Sequence, residues 1–460
     1  MKKCFTLLAW LLLAVVFLLP ACQPTPEQEA VIDKNDFEDS IVEKSPEVTE
    51  VEEPAPESIH WDEDFTNANG NITFAVDAEI QLAARYPVLE ERPIDLNEEY
   101  MMEKIEALVG ENPQLFTVDT RKTKAQIQDE IVQYKAEIEQ IRQTVQEGNT
   151  NEMLQEELDQ SDERLAELEQ QYAEAPETLE EEPLAALAFE TDDEGRTDLH
   201  VKAVGSRGTG IFDASTFECW RGWSYTTNLT DSVYANPDRA KDEAYLAEIS
   251  MPRETAEKRA EELLERIGAE DMALTEVVAG LVDDKHLLQG TSEDEEKMEK
   301  CYCFKYRKTY NEIHTLDVET VRSETVIEGS LDTAEEETEY RYPWEDEQLF
   351  IYIGEDFETV DWYYIGEVTE TVSEDTELIS VEKMQELFQQ DMQYKLFALD
   401  SEEMLLFVDT VTLGMTRIPK QDDYESYYVV PAWAFFNNQS LIDKGTSYLV
   451  LNAVDGSIIE

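Results

Sequence analysis

The chain has 460 residues, and 106 Asp and Glu set against 36 Lys and Arg leave a formal net charge of −70. Nucleic-acid binding is excluded, because affinity for phosphate needs clustered Lys and Arg. A hydrophobic fraction of 42%, with 20 Tyr, 17 Phe and seven Trp, is ordinary for globular protein and excludes a disordered acidic tail. The length is enough for roughly two to four domains.

Met1-Lys2-Lys3 gives a positive start, Cys4 to Leu19 is an apolar run broken only by Thr6, and Leu19-Pro20-Ala21-Cys22 follows. The run is short for a membrane-spanning helix and has the layout of a signal peptide over residues 1–21. The small Ala21 directly before a cysteine resembles the lipobox of bacterial lipoproteins. In that family the cysteine, here Cys22, carries the lipid and begins the mature chain. The resemblance implies an extracytoplasmic protein held to the membrane by its N-terminal lipid. Electrostatic attraction to anionic headgroups is no help to so acidic a body.

Residues 22–60 are rich in Pro and Glu and poor in aromatics, which predicts a disordered acidic tether. From Asn71 the alternation of Ile72, Phe74 and Val76 predicts a half-buried strand. Leu96 to Leu108 then carries apolar residues at helical spacing, ending near Gly110. Ile127, Ile131, Tyr134, Ile138, Ile141 and Val145 follow at alternating steps of four and three, and Leu154, Leu158, Ser161, Leu165, Leu168 and Tyr172 repeat them after Gly148. This predicts an antiparallel coiled-coil hairpin over 121–174, inserted in an α+β domain spanning 61–245. Two readings remain for it: an arm that touches a partner, and an insertion that pairs only with itself.

The C-terminal half reads as two related blocks. In 246–375 a helix opens after Ser250-Met251-Pro252 with Ala256, Ala260, Leu263 and Ile267 on one face, stops at Gly268, and is followed by strands that include Cys301 to Tyr306. In 376–460 a helix starts at Ser380, and strands follow at Glu403–Leu413, Ser426–Phe435, Tyr448–Ala453 and Ser457–Ile459, the last two joined by the turn Asp455-Gly456. The fold class expected is α+β: small antiparallel sheets each packed with a helix, plus the inserted hairpin.

The run Cys301-Tyr-Cys-Phe-Lys-Tyr306 behind the first helix, with Val430-Pro-Ala-Trp433 and Leu449 to Ile459 in the second block, resembles PepSY-type and YpeB/YycH-like extracytoplasmic modules. The whole chain resembles uncharacterised lipoproteins of clostridial-type Gram-positive anaerobes. Those modules act by binding, on secreted peptidases or envelope signalling, so the resemblance implies an envelope protein or peptide as partner, no catalysis and no cofactor. It brings no catalytic residue with it.

No nucleophile elbow, His-Glu-x-x-His pair, phosphate loop or dinucleotide glycine pattern is present. Gly205-Ser-Arg-Gly-Thr-Gly210 reads as a hairpin loop rather than an anion cradle. Acidic runs such as Asp192-Asp-Glu194, Glu293-Asp-Glu-Glu296 and Glu335-Glu-Glu337 miss the calcium-loop spacing, and Cys301-x-Cys303 has no second cluster, so no metal site is expected. Cys219 with Cys301 or Cys303 is a candidate disulfide, the alternative being small buried thiols. The aromatic stretch with Tyr342, Trp344, Trp362 and Tyr364 is the candidate ligand surface, against a reading of the same residues as cross-strand core pairs.

Three functions are therefore compared. The first is a non-enzymatic anchored lipoprotein that binds a protein or peptide in the envelope. The second is a solute- or glycan-binding surface lipoprotein, which needs Trp344 and Trp362 exposed. The third is an envelope hydrolase, which needs His200, His286 or His314 within reach of a Ser, Cys or carboxylate in a cleft.

Overall fold

The computed structural model describes residues 58–82, 85–118, 121–146, 152–178, 181–191, 197–216, 221–227, 232–235, 246–283, 300–316, 346–395, 404–420, 423–437 and 447–459. The expected signal segment, Cys22 and most of the tether lie outside these residues; the last three tether residues, 58–60, already belong to a strand. In chain order the first elements are β1 (Ser58–Thr66), β2 (Ile72–Gln81), β3 (Val88–Pro93), α1 (Glu98–Val109), β4 (Gln114–Thr117), α2 (Lys124–Gln146) and α3 (Glu152–Glu174). Next come β5 (Pro183–Leu184), β6 (Phe189–Thr191), β7 (Thr197–Val204), β8 (Thr209–Ser215), β9 (Gly222–Thr226), β10 (Ser232–Ala235), α4 (Arg253–Ile267), β11 (Met272–Asp283) and β12 (Lys300–Tyr310). The remainder are β13 (Ile313–His314), β14 (Gln348–Ile353), β15 (Glu358–Tyr363), β16 (Gly366–Ser373), α5 (Val381–Lys395), β17 (Met404–Val408), β18 (Thr410–Lys420), β19 (Asp423–Phe436) and β20 (Ser447–Asn452).

The α+β expectation is overturned. Strands take up 46% and helices 27% of what is described, in two large multi-strand sheets instead of small helix-packed sheets with a coiled-coil insertion. The physical reason is the meanders' open edges: the strands after each helix do not close on themselves but hydrogen-bond to strands from far earlier in the chain. The chain divides into two units built from separate stretches, one of Met1–Glu91, Leu316–Tyr342 and Val368–Glu460, the other of Arg92–Thr315 and Pro343–Glu367.

In the first unit an eight-stranded sheet runs β1-β2-β18-β19-β3-β16, with β17 beside β2 and β20 beside β19. One face is closed by α5, which places Met384, Phe388 and Met392 at helical spacing on the sheet, each almost fully buried. Phe388 stacks on Phe435 at 4.3 Å and meets Trp61 edge-on at 5.8 Å, while Phe65 stacks on Phe74 at 4.9 Å. Gly456 has a φ of 80°, a backbone conformation that favours glycine in the turn after β20.

The second unit holds a twelve-stranded sheet ordered β10-β11-β12-β14-β15-β9-β8-β7-β4-β5. α1 and α4 cover one face. α1 is capped by the Asn97 side chain, which accepts from the Tyr100 N–H at 3.0 Å, and it buries Met101, Ile105, Leu108 and Val109. α4 presents Ala256, Ala260, Leu263 and Ile267, two of them small, which lets the helix lie close to the strands. Lys104 of α1 donates to the Ile267 carbonyl at 3.0 Å, a cation at the C-terminal end of α4. Arg207, in the loop between β7 and β8, donates to the Ala107 carbonyl of α1 in the same way. α2 and α3 pack on one another through Ile127, Ile131 and Leu168, with Tyr134 and Leu165 against them.

Among the described residues, each unit has an ion pair sealed from water. In the first, Arg417 donates through Nη2 and Nε to Glu91 Oε2 at 3.0 and 3.3 Å and lies over the Tyr427 ring at 4.6 Å. In the second, Lys308 meets Glu347 at 3.0 Å. Removing one partner of such a pair leaves a charge in the interior, a loss of about 3–5 kcal/mol. Arg417→Met is therefore expected to lower the unfolding free energy of the chain by about 3–5 kcal/mol in denaturant titrations. Adding Glu91→Gln to it should recover part of that loss.

Candidate functional site

The chemistry-bearing residues of the second unit's sheet lie on the face opposite α1 and α4. Val360 and Trp362 of β15 point into the core with the helices. The alternation of a strand therefore puts Thr359, Asp361 and Tyr363 on the other face. Cross-strand register then lines up His200 of β7, Asp213 of β8, Ser224 of β9 and Asp361 of β15 directly opposite one another. The row continues through Phe350, Lys305 and Glu276 on β14, β12 and β11.

His200 Nδ1 is hydrogen-bonded to Asp213, so a histidine and a carboxylate do meet. The order along the row is nevertheless wrong for a nucleophile. Ser224 stands two strands from His200, about 10 Å between backbones at ordinary strand spacing, with the acid between them. A serine nucleophile needs the imidazole itself within hydrogen-bond reach. Further along, Lys305 pairs with Glu276 at 3.1 Å. Burial, with Asp213 as the lesser cause, raises the Asp361 carboxyl from the ordinary carboxylate range to about 7.

Trp362, a residue of the expected ligand surface, is 5% exposed. Its Nε1 donates to Glu347 Oε1 at 2.8 Å, and its ring sits 5.9 Å from that of Trp223. It is a cross-strand core residue and is not available to stack on a sugar. Tyr364 is half-buried with a φ of 56°, its N–H bonded to the Arg221 carbonyl at 2.7 Å. Tyr342 and Trp344 lie outside the described residues, as do Cys219, His286 and the three acidic runs. Cys301 and Cys303 are reduced and fully buried beside Val278, Tyr352 and Phe357. Burial pushes the Cys303 thiol up to about 12.

A cleft of about 480 Å³ opens at the first turn of α1, lined by Arg92, Ile94, Asn97, Tyr100 and Glu367 among others. Its orienting groups are engaged within the protein. Arg92 pairs with Glu367 at 3.0 Å, Asn97 caps the helix, and Lys104 lies over the Tyr100 ring at 4.9 Å. Among the described residues no group of three His, Cys, Asp or Glu side chains converges as a metal site, and no helix is long and apolar enough to cross a membrane.

In the first unit, β17 is the surface that the sequence reading did not single out. Leu405 and Phe407 are 54% and 42% exposed and project on the sheet face away from Phe74 and Val76. Among the described strands β17 pairs along one edge only, with β2. Its signal was available in the run Met-Leu-Leu-Phe-Val, which is apolar at every position and so fits neither an alternating half-buried strand nor a polar loop.

No family of proteins matches this chain, and no curated protein matches it. Among solved structures, an uncharacterized protein from Eubacterium rectale ATCC 33656 aligns with a TM-score of 0.38 and 13% identity, over 94% of this chain and 99% of its own. A likeness at that level transfers neither fold nor function.

The thiols offer a direct check. Fully buried, Cys301 and Cys303 are expected to resist iodoacetamide at pH 8 in the native protein and to react once denaturant is added, as read by peptide mass spectrometry. A peptide joining either of them to Cys219 under non-reducing conditions would refute their reduced state.

Proposed function

We propose that this protein is an extracytoplasmic lipoprotein, anchored through Cys22, that binds a protein or peptide of the cell envelope without catalysing a reaction on it. The observation that carries this reading is the tetrad Leu19-Pro20-Ala21-Cys22 at the end of an apolar run with a positive start. The Pro- and Glu-rich stretch that follows suits a tether that lifts a folded body off the membrane. The resemblance to PepSY-type modules points the same way.

The geometry of β17 supports the binding part. An open strand edge accepts an extended segment through main-chain hydrogen bonds, and exposed side chains at alternate positions supply the pockets. Leu405 and Phe407 are such positions, next to Thr73 and Ala75 of β2 on the same face. Beyond them the face turns acidic with Asp77 of β2 and Asp62 and Asp64 of β1. An extended segment with apolar residues two apart and Lys or Arg beside them is the complement. The His200–Asp213–Ser224 order supports a non-catalytic reading, since the imidazole faces an acid and not the hydroxyl.

The reading is tested by cross-linking on living cells followed by mass spectrometry, with Cys22→Ala as the unanchored control. A single envelope partner recovered only with the anchored chain, cross-linked near β17, is the expected result. Phe407→Asp should weaken that capture by about tenfold or more, from the apolar burial it forfeits. Recovery of no protein partner from cells rich in the anchored chain counts against the reading.

A further inference from the structure

Asp361 sits in mid-strand between β9 and β14, half-buried as a residue. Across from it are Ser224 on one side and the Phe350 ring on the other. Thr359 and Tyr363 flank it on its own strand, Gln348 and Tyr352 on β14, Thr226 and Gly222 on β9. The titratable groups that act on it or share its face are Asp213 of β8, Cys303 of β12, and Tyr352 and Tyr363. Two basic side chains lie in the same row, His200 on β7 and Lys305 on β12, and each is already on another acid, Asp213 and Glu276. Arg307 of β12, a row further along, is opposite Gln348.

Among the described residues, then, nothing positive faces this carboxyl. Its surroundings are a hydroxyl, a phenyl ring, phenols, a thiol and a second carboxylate. A charge in such a place is costly, whereas a protonated carboxyl is neutral and has one O–H to donate. The Ser224 oxygen across the ladder can accept it.

We propose that Asp361 is a proton-controlled latch in the second unit's sheet: protonated, it lets β9, β15 and β14 close on one another, and ionised, it loosens that stretch. The inference stands apart from the proposed lipoprotein role and needs no partner. Its direction follows from linkage. The folded carboxyl is pushed up to about 7 from the 3.8 of an ordinary aspartate, so the folded sheet binds the proton more tightly than the open one. The stabilisation is complete below the unfolded value, is lost as pH rises toward the folded one, and changes no further above it.

Hydrogen exchange of the full-length chain from pH 5 to 8.5, read by mass spectrometry and corrected for the intrinsic pH dependence of exchange, tests this. Peptides covering Gly222–Thr226 and Glu358–Tyr363 are expected to open more readily by up to about tenfold per pH unit below 7, then level off. Asp361→Asn should remove that dependence, and Asp213→Asn should move the levelling to lower pH. Peptides of β19 serve as the control and should not share it. The same slope in Asp361→Asn as in the native chain, or no slope in the native chain, overturns the proposal. Should the Asn variant fail to fold, carbon NMR of the native carboxyl decides: titration near neutral upholds the latch, titration near 4 overturns it.

Discussion

The pairing of β9 with β15 is the constraint on which the second unit depends. It sets Trp362 directly across from Trp223 and joins the hairpin strands β7 to β9 to the meander β11, β12, β14 and β15 in one sheet. Gly222 is what lets the two strands meet at that end, since a Cβ there would lie 2.2 Å from the Trp362 carbonyl. Once the junction is made, the inner faces of both halves become continuous, and α1 and α4 can share one apolar cluster that runs from Leu96 to Ile365. The outer faces become continuous too, which is how residues from seven strands come to form a single polar row.

Several basic residues of this acidic chain sit at joints. Lys104 and Arg207 sit on the terminal carbonyls of helices, and Lys308 and Arg417 are sealed against Glu347 and Glu91. Arg259 of α4 clamps the turn between β14 and β15, reaching Glu358 at 2.9 Å, the Gly354 carbonyl at 2.9 Å and the Phe357 carbonyl at 3.3 Å. Guanidinium suits that place because its fork serves several acceptors at once. Few cations are left for the row on the sheet face, so the middle of it faces only acids and neutral groups.

Local structure was legible in the sequence and partnership was not. The helix expected over Leu96–Leu108 is α1, and the apolar face read from Ala256, Ala260, Leu263 and Ile267 is the buried face of α4. The Gly205–Gly210 loop is a hairpin turn, and Asp455-Gly456 turns the chain after β20 so that Ile458 bridges back to Leu451. These features depend on neighbours a few residues away, and short-range spacing carries them. The fold class was misread because alternation marks which residues of a strand are buried without naming the strand beside it. Nothing in Trp362 or Trp223 alone announces that they are partners. The site was missed for the same reason: His200, Asp213, Ser224 and Asp361 share no sequence motif and meet only through register. The first three residues of β1, Ser58, Ile59 and His60, were assigned to the tether because they continue its Pro- and Glu-rich stretch, although the strand they open buries Trp61.

The connectivity of the first unit also sets an order of events during synthesis. β1 and β2 are among the earliest strands made, yet β2 finds its second neighbour only in residues 404–411, and β3 waits for β19. For most of translation the early hairpin therefore carries an open, apolar edge on β2 with nothing to close it, the kind of species that associates with its own copies. The acids of β1 supply like-charge repulsion during that wait. A nascent chain stalled before residue 404 would present this hairpin unfinished, and its solubility would rest on Asp62, Glu63 and Asp64 rather than on any packing.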